Sequence, residues 1–368
     1  MAYLPLGTDR IGRGSFANVY AAQDTRTGEK VALKQLLGAF DSAEDRRHAL
    51  REIHILRRVE HKNLVELRDA FTFVHSKGSW QRSVLYLVMP YIGQTLDQAM
   101  QSNEEITSYQ QRRFLIFQIL CGVEYLHSKS IIHRDLKPDN VLIKENTQNG
   151  RLTVKIADFN LSRYNYNDNS SHTRIEPNGY RAPEILFGLD YDEKVDIWPI
   201  GCMMASILTK FLENQIAVPQ KFWCSRGDVE LARRLVMWFG KPGPLMANRM
   251  CGRWKEQIRE LSDVPPVFSE LFEGQIDYSE IAVLENMLHM HAPVRSTAPN
   301  ILEMQYFECL RTFRRVPSRN EIDDVDEDIE KLDDQQVSEA IDRHLRRFDS
   351  DRGMPAFFQS ADDIQFSA

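Results

Sequence analysis

Short apolar runs separated by turn residues dominate the first ninety residues. Strands are predicted on both sides of a glycine turn within 8–22, and again at 31–34 and 84–89. Apolar residues then recur at helical spacing over 42–59, with Ser42 as the predicted N-cap and Asp45 three residues later. The pattern predicts a small sheet that carries one helix.

Helical patterns dominate from residue 95 onward. The segment 107–128 is apolar on nearly all sides, as expected of a helix through the middle of a lobe. We therefore predict an α+β fold with two lobes, a small β-rich N-lobe with one main helix and a larger helical C-lobe. In the larger lobe, short strands are predicted at 141–144 and 152–158, and further helices at 194–208, 229–239 and 278–288.

Composition narrows the class of protein. Of the 368 residues, 42% are hydrophobic and 27% are charged, which is typical of a globular chain. No run of about 18 apolar residues occurs, so we expect no membrane-spanning helix, and the amino terminus predicts no secretory signal. The five widely spaced cysteines predict reduced packing thiols in an intracellular protein, cytoplasmic or nuclear.

The net charge of −7 comes from one acidic stretch. Nine acidic residues and one lysine lie within 321–334, so the remaining residues sum to about +1. A near-neutral body offers no electrostatic footprint for nucleic acid or an anionic membrane, and we expect the stretch itself to be a solvated linker. After it, an apolar stripe predicts an amphipathic helix over 336–348, which either docks on the large lobe or binds a partner.

A glycine-rich segment, Gly-Arg-Gly-Ser-Phe-Ala-Asn-Val at 12–19, lies between two predicted strands. Glycines let backbone N–H groups approach phosphate oxygens because no Cβ intervenes. An ordinary tight hairpin has the same pattern, so this segment alone decides nothing. Twenty residues after Gly14, Lys34 ends an apolar strand. An ammonium there can neutralise phosphate oxygens, although an exposed strand-end lysine is the commoner case.

The most specific pattern is His-Arg-Asp-Leu-Lys-Pro-Asp-Asn at 133–140, followed by Asp158 and a phenylalanine. Phosphoryl transfer needs an acceptor for the hydroxyl proton, cations on the phosphate oxygens and ligands for magnesium. Asp135 can accept the proton, and Lys137 can stabilise charge on the transferring group. Asn140 and Asp158 supply the oxygen ligands that Mg²⁺ prefers. Each residue alone is an ordinary turn former, but the ordered set predicts phosphoryl transfer.

Together these motifs resemble those of the eukaryotic protein kinases of the Ser/Thr type. The resemblance implies a bilobal protein kinase domain over 3–312, with the C-terminal extension following at 313–368. It implies ATP and Mg²⁺ as cofactors and transfer of the γ-phosphoryl group to a protein serine or threonine. Within the domain it implies an N-lobe at 3–90, a connector at 90–94 and a C-lobe at 95–312.

The resemblance also implies roles for individual residues. Lys34 matches the lysine on the α- and β-phosphates, and Glu52 matches the glutamate that pairs with it. Asp135 matches the catalytic aspartate, with Lys137 beside it, while Asn140 and Asp158 match the magnesium ligands. The implied ATP-binding set comprises Ile11, Gly12, Gly14, Val19, Ala32, Lys34, Glu52, Met89, Tyr91 and Leu142.

Matches in the C-lobe indicate the branch of the family. Glu184 matches the end of the activation segment, Arg295 the arginine that pairs with it, and Asp196 the aspartate that holds the catalytic loop. The sequence 180–186 resembles the cyclin-dependent and MAP kinase (CMGC) branch, in which the arginine matching Arg181 favours proline after the phosphoacceptor. A proline-directed preference is therefore a hypothesis. A protein substrate is expected and a regulatory protein partner stays open, but no cyclin is inferred.

Three positions depart from the family pattern. Ala17 replaces the third loop glycine, and Asn160 replaces the glycine of the Asp-Phe-Gly motif, where asparagine tolerates positive φ. Pro177 replaces a threonine that commonly bonds the catalytic aspartate and lysine, which affects peptide positioning. These departures keep open a pseudokinase, a binding scaffold with little catalysis. A small-molecule kinase of related fold is disfavoured by the segment 181–184.

Regulation is predicted only in outline. The span after Asp158 contains Tyr164, Thr173 and other hydroxyl residues, and a phosphate on one of them can pair with Arg134. Thr173 is the best candidate. The alternative is a polar loop that is ordered without modification.

Overall fold

The computed structural model describes residues 2–14, 17–77, 80–102, 104–145, 150–164, 179–212, 227–261, 267–316, 329–346 and 348. Every predicted catalytic, nucleotide-binding and metal-binding residue lies within these ranges. Thr173, Pro177 and the first part of the acidic stretch lie outside the described residues, so the hypotheses about them stay predictions.

An antiparallel five-stranded sheet forms the small lobe, with the strand order β1-β2-β3-β5-β4. Residues of β5 alternate between two buried clusters: Leu85 and Leu87 face the main core, and Tyr86 and Val88 face a smaller cluster on the other side. This burial on both faces explains the continuous apolar run. The lobe comprises β1 (Tyr3–Arg13), β2 (Ala17–Asp24), β3 (Lys30–Leu36), α1 (Ala43–Leu56), β4 (Asp69–Lys77) and β5 (Trp80–Pro90).

Helix α1 begins where the sequence predicts. The Ser42 hydroxyl accepts a hydrogen bond from the backbone N–H of Asp45 at 3.1 Å, which satisfies one of the unpaired donors of the first turn. Ala49, Ile53 and Leu56 are buried in the main core. Because these residues recur every three to four positions, they place one side of α1 against the sheet.

Helices make up most of the large lobe around the 20-residue α3, whose Leu120 and Val123 are fully buried. None of the helices in the described ranges combines the length and apolar character needed to cross a membrane. The elements are β6 (Gln94–Thr95), α2 (Leu96–Ser102), α3 (Tyr109–Ser128), β7 (Ile131–Ile132), β8 (Val141–Glu145), β9 (Leu152–Ile156), β10 (Arg163–Tyr164), α4 (Pro183–Leu186), α5 (Ile197–Phe211), α6 (Asp228–Phe239), α7 (Pro244–Arg249), α8 (Gly252–Glu260), α9 (Tyr278–Met287) and α10 (Ala298–Leu302).

Close helix contacts in this lobe depend on small residues. A Cβ added to Gly201 on α5 would lie 2.7 Å from Cγ of Leu288 and 2.9 Å from Cβ of Met287. Glycine therefore lets α5 approach the end of α9 more closely than any other residue would. Asp196, the N-cap residue of α5, immediately precedes this helix.

The cysteine prediction is only partly correct. Cys121 and Cys202 are buried and free, as expected of packing thiols. Cys251 and Cys309 are free but exposed, so they do not pack in the core. Cys224 lies outside the described residues, so the prediction for it is untested.

The helix of the C-terminal extension docks in cis, but on the small lobe. Helix α11 (Asp334–Leu345) starts with a capping box between Asp333 and Gln336. Its Val337 and Ile341 are buried, and the helix packs mainly against α1. The expected docking on the large lobe is therefore wrong, because a stripe on one helix does not specify which apolar surface covers it.

Candidate active site

Lys34 lies between two carboxylates that come from different parts of the chain. Its Nζ is 2.5 Å from Oε1 of Glu52 on α1 and 2.7 Å from Oδ1 of Asp158 after β9. The sheet register fixes the lysine, which lies opposite Val19 on β2 and Leu87 on β5. The structure thus brings the strand lysine, the helix glutamate and the predicted metal ligand together at one point.

Electrostatics keep Lys34 and Asp158 charged. Although burial opposes the charged form, Asp158 and Glu52 raise the pKa of Lys34 above its usual value. Burial likewise opposes ionisation of Asp158, but Lys34 holds the pKa of that carboxyl below its usual value. The lysine therefore stays protonated and Asp158 stays ionised at neutral pH, as metal and phosphate binding both require.

Phe159, the residue after Asp158, packs in the core. The Phe159 side chain is fully buried, with its ring centroid 5.2 Å from that of His133. Asp158 itself has a φ of 70°, and this left-handed residue turns its carboxylate toward Lys34. Asn160 does not have positive φ, so its tolerance of that conformation is not needed here. The turn occurs two residues earlier than the motif suggests.

Asn160 is nevertheless unusual, because the residue is 6% exposed and its Oδ1 has no hydrogen-bond partner among the described residues. A buried amide oxygen without a partner is unfavourable. We find no contact in the described residues that explains why asparagine is present there.

Asp196 binds the backbone at the start of the predicted catalytic loop, residues 133–140. Its carboxylate accepts the backbone N–H groups of His133 and Arg134, both at 2.8 Å. It also lies 3.0 Å from Nε2 of His127 at the end of α3. Although burial opposes it, the hydrogen bond with His127 and the backbone donors keep the pKa of Asp196 below its usual value. The role implied for Asp196 by resemblance matches its contacts.

Asp135, Lys137 and Asn140 form a second cluster on this loop. Lys137 Nζ donates to Oδ2 of Asp135 at 2.7 Å. The Asn140 amide donates to the same oxygen at 2.9 Å and to the Asp135 backbone carbonyl at 2.8 Å. These donors fix the orientation of a carboxylate that is only 6% exposed. A fixed, buried carboxylate beside a lysine is an arrangement suited to accept a proton from a hydroxyl.

Two oxygen donors of the site fit magnesium. The backbone N–H of Ala157 donates to the carbonyl of Asn140 at 2.9 Å, so Asn140 and Asp158 lie on adjacent segments. Asn140 uses its amide nitrogen for Asp135, and its side-chain oxygen makes no hydrogen bond within the described ranges. An amide oxygen and an ionised carboxylate are donors that Mg²⁺ prefers.

The glycine-rich turn closes the hairpin between β1 and β2. The backbone N–H of Gly14 donates to the carbonyl of Ala17 at 2.8 Å, and Gly12 lies opposite Val19. Ala17 is buried at the start of β2 without disturbing this pairing. Ile11, on the preceding strand, is 40% exposed, which is the exposure expected of a side chain that faces an open cleft.

The remaining predicted nucleotide contacts come from both lobes. Ala32 lies opposite Met89 in the sheet, and the chain leaves β5 at Pro90 and enters β6 at Gln94. Tyr91 lies between these strands, and Nζ of Lys30 makes a cation–π contact with its ring, 3.6 Å from the ring centroid. Leu142 lies on β8, which pairs with β6. These side chains therefore lie around the junction of the two lobes.

Sequence reasoning missed two residues that support the loop. His127 contacts Asp196 across 69 positions of the chain. The Tyr191 hydroxyl accepts a hydrogen bond from Nη1 of Arg134 at 2.9 Å, across 57 positions. Neither belongs to a short motif with a chemical spacing rule, so only the folded arrangement identifies them.

The acid limb of the pH–rate profile should depend on Lys137. Burial raises the pKa of Asp135 above its usual value, and Lys137 opposes that shift. A base must be unprotonated, so kcat should fall as the pH drops through this pKa, at a higher pH than for an exposed aspartate. In Lys137→Met the limb should move to still higher pH, which kcat measured between pH 5 and 9 will show. A limb that stays in place or moves to lower pH would contradict the assignment.

Comparison with known proteins identifies the family of the chain. The family model described as protein kinase domain matches residues 7–307, a range that contains every predicted site residue. The chain is 30% identical to mitogen-activated protein kinase 12 of Mus musculus over 325 residues, 87% of this chain and 83% of that protein. It is 32% identical to mitogen-activated protein kinase 13 of Bos taurus over 310 residues, 82% of this chain and 77% of that protein.

A plant relative covers more of the chain. Mitogen-activated protein kinase 12 of Oryza sativa subsp. japonica is 31% identical over 353 residues, which is 92% of this chain and 57% of that protein.

Proposed function

Because the chain belongs to the protein kinase family and is similar to MAP kinases of its CMGC branch, we propose that it is an active serine/threonine kinase. It would transfer the γ-phosphoryl group of Mg-ATP to a hydroxyl group of a protein substrate. The observation that carries the proposal is Lys34 held between Glu52 and Asp158, together with a buried Asp135 that interacts electrostatically with Asp158. We propose 3–312 as the kinase domain and 313–368 as its extension.

We propose that nucleotide binds between the lobes. Ala32, Met89 and Leu142 offer apolar side chains for an adenine base, and the hairpin of Gly12 and Gly14 covers the phosphates with backbone N–H groups. Lys34 neutralises phosphate oxygens because Glu52 holds its ammonium in place. Magnesium, when bound by Asn140 and Asp158, would neutralise further charge on the phosphates.

The protein hydroxyl would meet Asp135. The carboxylate orients the hydroxyl and accepts its proton as the oxygen attacks the γ-phosphorus, while the bond to the leaving phosphate oxygen breaks. Lys137, fixed at 2.7 Å from Asp135, lies where negative charge on the transferring group needs a cation. Asn140 fixes the carboxylate from the other side, so the base does not reorient during the step.

The experiment that tests this proposal is phosphate transfer itself. The full-length chain should transfer labelled phosphate from ATP to a generic protein such as casein, and EDTA should abolish the transfer. Phosphoamino acid analysis should then find phosphoserine or phosphothreonine. Nucleotide binding without any transfer would instead identify the pseudokinase to which Pro177 and Asn160 point.

We propose that Arg181 contributes to a preference for proline after the phosphoacceptor. Arg181 is 8% exposed, and its Nη1 donates to Oδ1 of Asp228 at 3.0 Å. That contact fixes the guanidinium within the segment that ends at Glu184. On a peptide array, proline at the following position should raise phosphorylation about tenfold over alanine, a difference of about 1.4 kcal/mol.

Asp228→Ala should reduce this preference, because Arg181 then loses the contact that orients it. Arg249→Ala, which removes an exposed ion pair with Asp190 at 2.7 Å in the same lobe, should leave the preference unchanged. An array that is indifferent to proline would contradict the proposal.

A further inference from the structure

Helix α11 contacts α1 from its first turn to its last. At the start of α11, Nη2 of Arg46 lies 3.0 Å from Oδ2 of Asp334. Arg47 donates through Nη2 to the backbone carbonyl of Leu332 at 2.9 Å. Val337, on the first turn of α11, is fully buried. Helix α11 therefore forms an interface with the helix that carries Glu52.

His344 makes the contacts at the other end of this interface. Nη1 of Arg57 donates to Nδ1 of His344, since a guanidinium has no acceptor. The ring of His344 also meets the ring of His54 edge to face, with centroids 5.5 Å apart and an angle of 84°. His344 therefore contacts His54 in the last turn of α1 and Arg57, the residue that caps this helix.

His54 continues the line of contacts to the activation segment. Its ring lies 5.8 Å from that of Tyr164, at an angle of 88°. Burial, together with Arg58 and Arg57, lowers the pKa of His54 to about 3, so the ring is neutral at physiological pH. Tyr164 lies on β10, six residues after Asp158. The rings of His344, His54 and Tyr164 thus connect the C-terminal extension, α1 and the start of the activation segment.

The contacts of Glu52 and His54 lie on opposite sides of α1. Glu52 and His54 are two residues apart, which places their side chains about 200° apart around the helix. Lys34 therefore holds α1 from one side through Glu52, and His344 holds it from the opposite side through His54. Movement of α1 away from the cleft would break its contact with Lys34 and would have to displace His344 on the other side.

We propose that His344 is a positioning residue for phosphoryl transfer, which acts through His54 to keep Glu52 paired with Lys34 and Tyr164 in place at the start of the activation segment. The proposal rests on the kinase function proposed above. It assigns to a residue of the C-terminal extension, more than 170 positions beyond the last catalytic motif residue, a part in assembling the active site. His344 itself does not touch substrate or nucleotide.

The test compares three variants of the full-length chain. His344→Ala removes both contacts, His344→Phe keeps a ring against His54, and Asp342→Ala changes an exposed residue of the same helix. The readouts are kcat, the KM for ATP, and hydrogen exchange of the backbone amides in 50–56 and 158–164. His344→Ala should lower kcat about tenfold and raise exchange in those two segments. His344→Phe should recover most of both, and Asp342→Ala should match the wild type.

Two results would overturn the proposal. One is His344→Ala with kcat and local exchange equal to those of Asp342→Ala. The other is increased exchange spread evenly over the chain with a lower melting temperature, which would mean that His344 only stabilises the fold. If the wild type transfers no phosphate, the kinase function fails, but the exchange in 50–56 and 158–164 still decides whether His344 holds these segments.

Discussion

Asp135→Asn is expected to lower kcat about a thousandfold and to leave nucleotide binding intact. Asparagine has nearly the same shape as aspartate and keeps an oxygen for Lys137 and Asn140, whose bonds to Oδ2 are 2.7 and 2.9 Å long. It cannot accept the hydroxyl proton at neutral pH. The loss should therefore appear in kcat, measured by steady-state phosphate transfer, while the dissociation constant of Mg-ATP changes by less than about threefold.

Asp139 provides a matched control on the same loop. It is exposed, whereas Asp135 is 6% exposed, and both belong to the motif at 133–140. Asp139→Asn makes the same chemical change four residues away, and we expect it to alter kcat by less than about threefold. If Asp135→Asn retains more than a tenth of wild-type activity, another group accepts the proton and the assignment of Asp135 is wrong.

Arg295→Ala should destabilise the large lobe by about 3–5 kcal/mol. The guanidinium is fully buried and contacts both carboxylate oxygens of Glu184, at 2.6 and 2.9 Å. It also donates to the backbone carbonyls of Lys194 and His289. Removing it leaves a buried carboxylate and two carbonyls without their donor, and thermal unfolding followed by calorimetry should show a fall in Tm of several degrees.

The exposed pair of Arg249 and Asp190 is the control for this prediction. Its N–O distance of 2.7 Å is close to that of the buried pair, but both side chains are more than half exposed. Exposed pairs contribute about 0–1 kcal/mol, so Arg249→Ala should barely change Tm. Equal losses in the two variants would show that burial does not decide the strength of the Glu184 contact.

Much of the site could be predicted from sequence because few residue types can accept a proton, neutralise phosphate oxygens or bind magnesium. The motif at 133–140 is local, so its residues meet without long-range assumptions. The direct contact of Lys34 with Asp158 spans 124 positions and was not predicted, although the resemblance implied that both residues serve the same nucleotide. Its physical cause, the sheet register that places Lys34 opposite Leu87, is set by pairing between strands.

Other features could not be predicted, for identifiable reasons. Strand β4 alternates polar and apolar residues weakly, and its pairing with β5 fixes it as a strand. The stripe on α11 predicts burial but does not identify α1 as its partner. The positive φ lies at Asp158 and not at Asn160, and no local propensity distinguishes these two positions because aspartate and asparagine both tolerate that conformation.

The central claim is that Lys34, Asn140 and Asp158 together hold a magnesium-bound triphosphate next to Asp135. The most direct measurement is a crystal structure of the chain with Mg²⁺ and a non-hydrolysable ATP analogue. We predict phosphate oxygens in contact with Nζ of Lys34, and a magnesium ion ligated by Asn140 and Asp158. A cleft that stays empty at saturating analogue, or a nucleotide bound with Lys34 and Asp158 directed away from it, would contradict the account.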